Sequence, residues 1–181
     1  MKNIFKFVIA ITISELAGVL GSLFTIPAVT TWYATLTKPQ FSPPNWIFGP
    51  VWTTLYFLIG ISLYLVWKND FKILHPMSLK KSWNAWSGQL WAGPLQKINI
   101  IAIFAVQYTL NVLWSLVFFG LHSPGIAFSV IVALWISIVY LMINFYRVSK
   151  ASAWILLPYF LWVTFAAYLN YAIFSLNYLV K

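Results

Sequence analysis

Cysteine is absent from the 181 residues, so the chain can build no disulfide, thiolate nucleophile or thiol metal site. Acid is nearly absent too: Glu15 and Asp70 stand against eleven Lys and Arg. Only 7% of the residues are charged, where a soluble domain of this size carries roughly a quarter. The two histidines, His75 and His122, fall between apolar runs, which argues against a bis-histidine haem or metal site among the helices. No Gly-rich phosphate loop, HExxH motif or Ser/His/Asp set can be found, so conventional acid–base or metal catalysis has no support. The net charge of +9 is not gathered on a solvated face, which argues against a nucleic-acid partner. The basic residues lie between apolar runs, as in loops beside anionic lipid.

What is abundant is hydrophobic surface, 62% of residues, with too little polar surface to face water. The bilayer is therefore the expected solvent and partner. A span needs about 20 apolar residues in helix, and five segments qualify: 5–29, 46–67, 98–121, 124–146 and 153–176. The expected fold is an all-α membrane protein, one domain over 1–181 forming a five transmembrane helix bundle. Ser123 and Pro124 mark a helix start. Segments such as 126–143 lack the alternation that a barrel requires. The first segment resembles a signal peptide, but its apolar run continues to Ile26 and contains Glu15, so a retained helix is expected. Lys2, Lys6, Lys68, Lys72, Lys80, Lys81, Lys97, Arg147 and Lys150 fall on one side of this topology, and Lys38 and Lys181 on the other. The bias predicts a cytoplasmic N-terminus and an outside C-terminus, in a multi-pass protein of the bacterial plasma membrane. Prolines 39, 43 and 44 suggest that 27–45 forms a structured cap. In 69–96, Leu79, Trp83, Trp86 and Leu90 share one helical face, predicting an interfacial amphipathic helix over about 79–90.

Eleven tryptophans are a large excess. An aromatic belt at the membrane surface accounts for Trp67, Trp83, Trp86, Trp91 and Trp154. Trp52, Trp114 and Trp162 lie inside spans, where an indole either packs in the core or walls a pocket for a flat ligand. Three helical stripes join aromatic and amide groups: Trp52 with Tyr56; Gln107, Asn111 and Trp114; and Trp162, Ala166 and Asn170. Either the amides bond between helices, or the stripes face one cavity in which Ala166 leaves room. Glu15 is the one intramembrane carboxylate, a functional candidate or a hydrogen-bonded structural group. Ala17, Gly18, Gly21 and Ser22 beside it permit close helix packing, and Gly49-Pro50 and Pro158 should bend their helices.

Three stretches carry a resemblance: WYATLTKPQFSPPNWIFGPVWTTLY from Trp32, QYTLNVLWSLVFFG from Gln107 and LLPYFLWVTFAAYLNYAI from Leu156. Together and in this order they resemble the TspO/MBR family of tryptophan-rich sensory and translocator proteins. The resemblance implies five helices, a pocket lidded by the first loop, and frequent homodimers. It implies porphyrins such as protoporphyrin IX or a haem-like ligand, with no cofactor required. It also implies cholesterol for mitochondrial members, though a sterol motif is not evident here, and benzodiazepine-type compounds. By motif position Trp52 and Trp162 match pocket tryptophans implicated in porphyrin chemistry, which makes them the catalytic candidates if there is catalysis. Asn111 matches the pocket amide, Trp114 an aromatic wall, Tyr33 and Pro43 the lid, and Ala166 a small pocket position. Phe41 replaces a frequent Trp, and 69–96 is longer than usual.

The leading expectation is a membrane receptor for tetrapyrroles that regulates porphyrin levels or a stress response. The alternatives are an enzyme that degrades bound porphyrin with light and oxygen, and a porphyrin or small-molecule transporter, for which Glu15 would be the coupling carboxylate.

Overall fold

The computed structural model describes the backbone of residues 2–71 and 89–179, with side chains over 2–71 and 98–178. The interfacial helix expected over 79–90 falls almost wholly outside these residues, as do Trp83, Trp86 and the side chain of Trp91.

The described chain is helical: α1 (Lys2–Thr30), α2 (Trp32–Thr35), α3 (Asn45–Lys68), α4 (Gln89–Ser115), α5 (Pro124–Val148), α6 (Lys150–Ile155) and α7 (Leu157–Phe174). Five stretches are long and apolar enough to cross a membrane: Lys2–Thr30, Asn45–Lys68, Ile98–Gly120, Pro124–Val148 and Lys150–Tyr178. Helices meet that need because each satisfies its own backbone polar groups where no water can. α4 begins at Gln89, ahead of the apolar run from Ile98.

Three irregularities have local causes. α4 widens into a π turn at Leu116–Gly120, where Leu121 N–H donates to the Leu116 carbonyl at 2.8 Å. Ser123 then precedes α5 without making a side-chain cap bond, while Pro124 occupies the first turn, where its missing N–H is not needed. The fifth span breaks at Leu156 between α6 and α7, because Pro158 cannot donate to the carbonyl of Trp154. By contrast α3 runs unbroken through Pro50. α1 likewise runs unbroken through Pro27.

α5 is the most regular wall of the core. Ala127, Ile131, Leu134, Ile138, Leu141, Phe145 and Val148 recur at threes and fours and are buried against α4, α6 and α7. α1 packs along α3 and α4. Two glycines permit the closest approach. A Cβ at Gly60 would lie 2.8 Å from the Ile11 Cα, and one at Gly18 would lie 2.7 Å from the Tyr56 ring. The far end of this pair is fastened by Lys6, whose Nζ is 2.9 Å from Asp70 Oδ1 and 3.2 Å from the Trp67 carbonyl oxygen. Ser62 Oγ donates to the Ser152 carbonyl at 2.8 Å, joining α3 to α6 at that same end.

Candidate functional site

Above the Gly18–Tyr56 contact, α1, α3 and the end of α4 enclose a cavity of about 520 Å³. Its volume falls within the range of about 300–1,000 Å³ found for small-molecule sites. α1 contributes Glu15, Gly18, Gly21, Ser22 and Thr25; α3 contributes Phe48, Trp52, Thr53 and Tyr56; α4 and its π turn contribute Trp114, Ser115 and Phe119. Val19 and Ile26 also line it while remaining 55% and 69% exposed, so the cavity opens along that flank of α1.

Trp52 is the centre of the aromatic wall. Its ring stacks on Tyr56 at 5.5 Å and lies 6.3 Å from Trp114 and 6.4 Å from Tyr159, centre to centre. Residues four apart on α3 share a face, which is why Trp52 and Tyr56 stack. Trp114 stacks in turn on Phe118 at 5.5 Å.

Beneath this wall lies a buried polar floor. Tyr56 donates its hydroxyl to Asn111 Oδ1 at 2.5 Å, and Asn111 Nδ2 donates to the Tyr159 hydroxyl oxygen at 2.8 Å. Gln107 Nε2 donates to the same oxygen at 2.6 Å. Asn170 holds Trp114 from behind: Trp114 Nε1 donates to Asn170 Oδ1 at 3.0 Å, and Asn170 Nδ2 donates to the Pro124 carbonyl at 2.8 Å. An amide in hydrocarbon needs such partners, and here each side chain bridges helices.

The structure therefore brings part of the expected set together. Trp52, Tyr56 and Trp114 face the cavity, and Asn111 supports Tyr56 from below. The third stripe stands further back. Trp162 packs on Phe48 at 6.3 Å and on Phe165 at 5.5 Å, its buried indole N–H has no partner among the described residues, and Ala166 and Asn170 are buried on the same helix. Phe48 separates Trp162 from the cavity because it projects from α3 between them. Spacing along one helix cannot show such an intervening ring.

Tyr33 is buried against Phe48, Phe118 and Phe119, with ring centres 6.3, 6.2 and 5.8 Å away, and so covers two cavity residues without lining the space itself. Burial pushes its phenol up to about 12. The Lys38 Nζ lies 4.7 Å from its ring centre. Pro43 belongs to the same cap but is not among the lining residues. The cap is anchored at two points. Trp32 stacks on His122 at 4.5 Å, and Asn177 exchanges two 2.9 Å bonds with the backbone N–H and carbonyl of Thr37.

Residues 10–176 match the family profile described as TspO/MBR family. The chain belongs to the TspO/MBR family. It is 43% identical over 175 residues to the tryptophan-rich protein TspO of Archaeoglobus fulgidus, covering 97% of this chain and 99% of that one. It is 37% identical over 177 residues to the protein of the same name from Chlorobaculum tepidum, covering 97% and 98%. The Homo sapiens translocator protein shares 30% identity over 159 residues, covering 88% of this chain and 82% of its own. Membership of the TspO/MBR family and the five apolar helices together make this a multi-pass integral membrane protein. Within that family frame, the residues missed in the sequence are those of the α1 wall and Tyr159. Gly21 and Ser22 read there as packing residues, and Thr25 is not singled out. Tyr159 carried a usable signal, a hydroxyl inside a span that requires a partner.

Proposed function

We propose that the cavity is a binding site for a flat tetrapyrrole such as protoporphyrin IX, and that the protein acts as a membrane receptor or sensor for it. One observation carries the reading: a single cavity of tetrapyrrole scale has Trp52, backed by Tyr56 and Trp114, as its wall. The ring would stack on Trp52 with its acidic edge toward the cap, where Lys38 lies over Tyr33. Family relatives named "tryptophan-rich sensory protein" agree with a sensing role. On this proposal the side carrying nine of the eleven basic residues is cytoplasmic, and the membrane is a bacterial plasma membrane.

The test is quenching of tryptophan emission by protoporphyrin IX in detergent. Trp52→Ala is expected to weaken binding about tenfold, since it removes stacking and apolar area together. Trp135→Ala, on an α5 indole bonded to Thr164 outside the cavity, should change nothing. Equal affinity in wild type and Trp52→Ala would reject the site.

The same packing favours a second reading, light- and oxygen-dependent breakdown of bound porphyrin. Trp52 is an oxidisable ring with Tyr56, Trp114 and Tyr159 all within 6.4 Å of it, centre to centre. Under illumination in air the Soret band should then decay faster with the protein than without it. Equal decay ends this reading and leaves binding untouched.

A further inference from the structure

The chain has two carboxylates, and the structure gives them different surroundings. Asp70 is paired with Lys6 at the end of the bundle. Glu15 lies in the wall of the cavity, in the same lining as Trp52 and Tyr56, and has no hydrogen bond or ion pair among the described residues. A carboxylate at this depth is costly in hydrocarbon and marks a functional position by default.

The rest of the wall adds no positive side chain, though Thr30, Asn45 and Ser115 also line it. Eleven Lys and Arg occur in the chain, yet among the described residues that line the cavity none is basic. The hydroxyl groups have largely spent their protons. Ser22 donates to the Val19 carbonyl at 2.7 Å, Thr25 to Gly21 at 3.0 Å and Thr53 to Gly49 at 3.1 Å. Tyr56 donates to Asn111, and the Trp114 N–H to Asn170. These groups offer a guest lone pairs rather than donors. Trp52 and Tyr56 add the negative faces of their rings, which attract cations. A carboxylate, acceptor hydroxyls and π faces around one hollow are complementary to a cation.

We propose that this cavity binds flat aromatic cations, with the Glu15 carboxylate as counter-charge and the stacked Trp52–Tyr56 pair as the surface that receives the ring. The proposal rests on the cavity being a ligand site, but not on that ligand being a tetrapyrrole. The opening beside Val19 and Ile26 lets an amphiphilic ring enter from the lipid side, with Glu15 one helical turn from Val19 to meet its charge.

The test uses full-length protein in detergent at neutral pH, titrated with 9-aminoacridine, which is protonated there, and with acridine, the same ring without the charge. The cation should bind about tenfold more tightly, the scale of one charge-assisted contact. Glu15→Gln should abolish the preference while leaving acridine affinity unchanged, and Glu15→Asp should retain part of it. A second measurement needs no variant. 9-Aminoacridine, and not acridine, should slow the modification of Glu15 by dicyclohexylcarbodiimide, read by mass spectrometry of the α1 peptide. Equal affinity for the two rings, a preference that survives Glu15→Gln, or labelling indifferent to the cation overturns the proposal. If protoporphyrin IX fails to bind while the cation binds through Glu15, the tetrapyrrole reading falls and this one stands. If porphyrin binds without any cation preference, the reverse holds.

Discussion

Asn111 is the residue on which the polar floor depends. It accepts from Tyr56 and donates to Tyr159, so one amide joins α3, α4 and α7 under the cavity. Asn111→Leu keeps the volume and removes both bonds. Tyr159 retains Gln107, but the Tyr56 hydroxyl loses its acceptor in a buried site. Interhelical hydrogen bonds in membranes average about 0.6 kcal/mol and reach about 1.7, so the expected loss is about 1–3 kcal/mol, read from unfolding in detergent. Adding Tyr56→Phe removes the orphaned donor, and the double variant should be less destabilised than the sum of the two singles. Strict additivity would mean that the 2.5 Å bond contributes nothing. At this scale much was readable beforehand. Trp52 with Tyr56, and Asn111 with Trp114, follow from spacings of four and three on one helix. Tyr159 was harder, because its hydroxyl oxygen gains its role only from the two α4 amides, Gln107 and Asn111, that the fold brings to it.

Among the elements, the α1–α3 pair shapes the cavity, and Gly60 sets how closely it closes. A methyl there meets the Ile11 Cα at 2.8 Å and the Ala10 carbonyl at 3.2 Å, backbone atoms that cannot rotate aside. Gly→Ala in a helix gains about 1 kcal/mol of propensity, whereas forced separation of packed elements costs about 1–3. The second effect should prevail. Gly60→Ala is expected to lower the thermal midpoint and weaken ring binding together, since the shift moves the α1 wall. A more stable Gly60→Ala protein would show that the contact is looser than described. Element existence was legible because five long apolar runs leave few alternatives in lipid. At Gly49-Pro50, where a bend is expected, α3 continues as helix through the proline, as α1 does through Pro27. The break in the fifth span falls at Leu156, beside Pro158. Which helix crosses which does not follow from periodicity, so the contribution of Ser22 and Thr25 to the cavity was hidden, and so was the screening of Trp162 by Phe48.

In the whole molecule, the two ends of the bundle differ. The end carrying Lys6, Asp70 and Ser152 is closed by an ion pair and hydroxyl bonds, while the end under the 31–44 cap holds the cavity. This asymmetry suits a protein that receives a guest at one end and keeps its framework rigid at the other. Filling the hollow without disturbing its walls tests that idea most directly. Ser22 lines it from α1, and its hydroxyl only returns to the Val19 carbonyl of its own helix. Purified wild-type protein and Ser22→Phe should therefore be titrated side by side with protoporphyrin IX, following tryptophan emission and the Soret band. Saturable quenching in the wild type, lost by tenfold or more in a Ser22→Phe protein of unchanged helix content, is the expected result. Unchanged affinity in the filled variant, or no saturable binding in the wild type, would contradict a guest site between α1, α3 and α4.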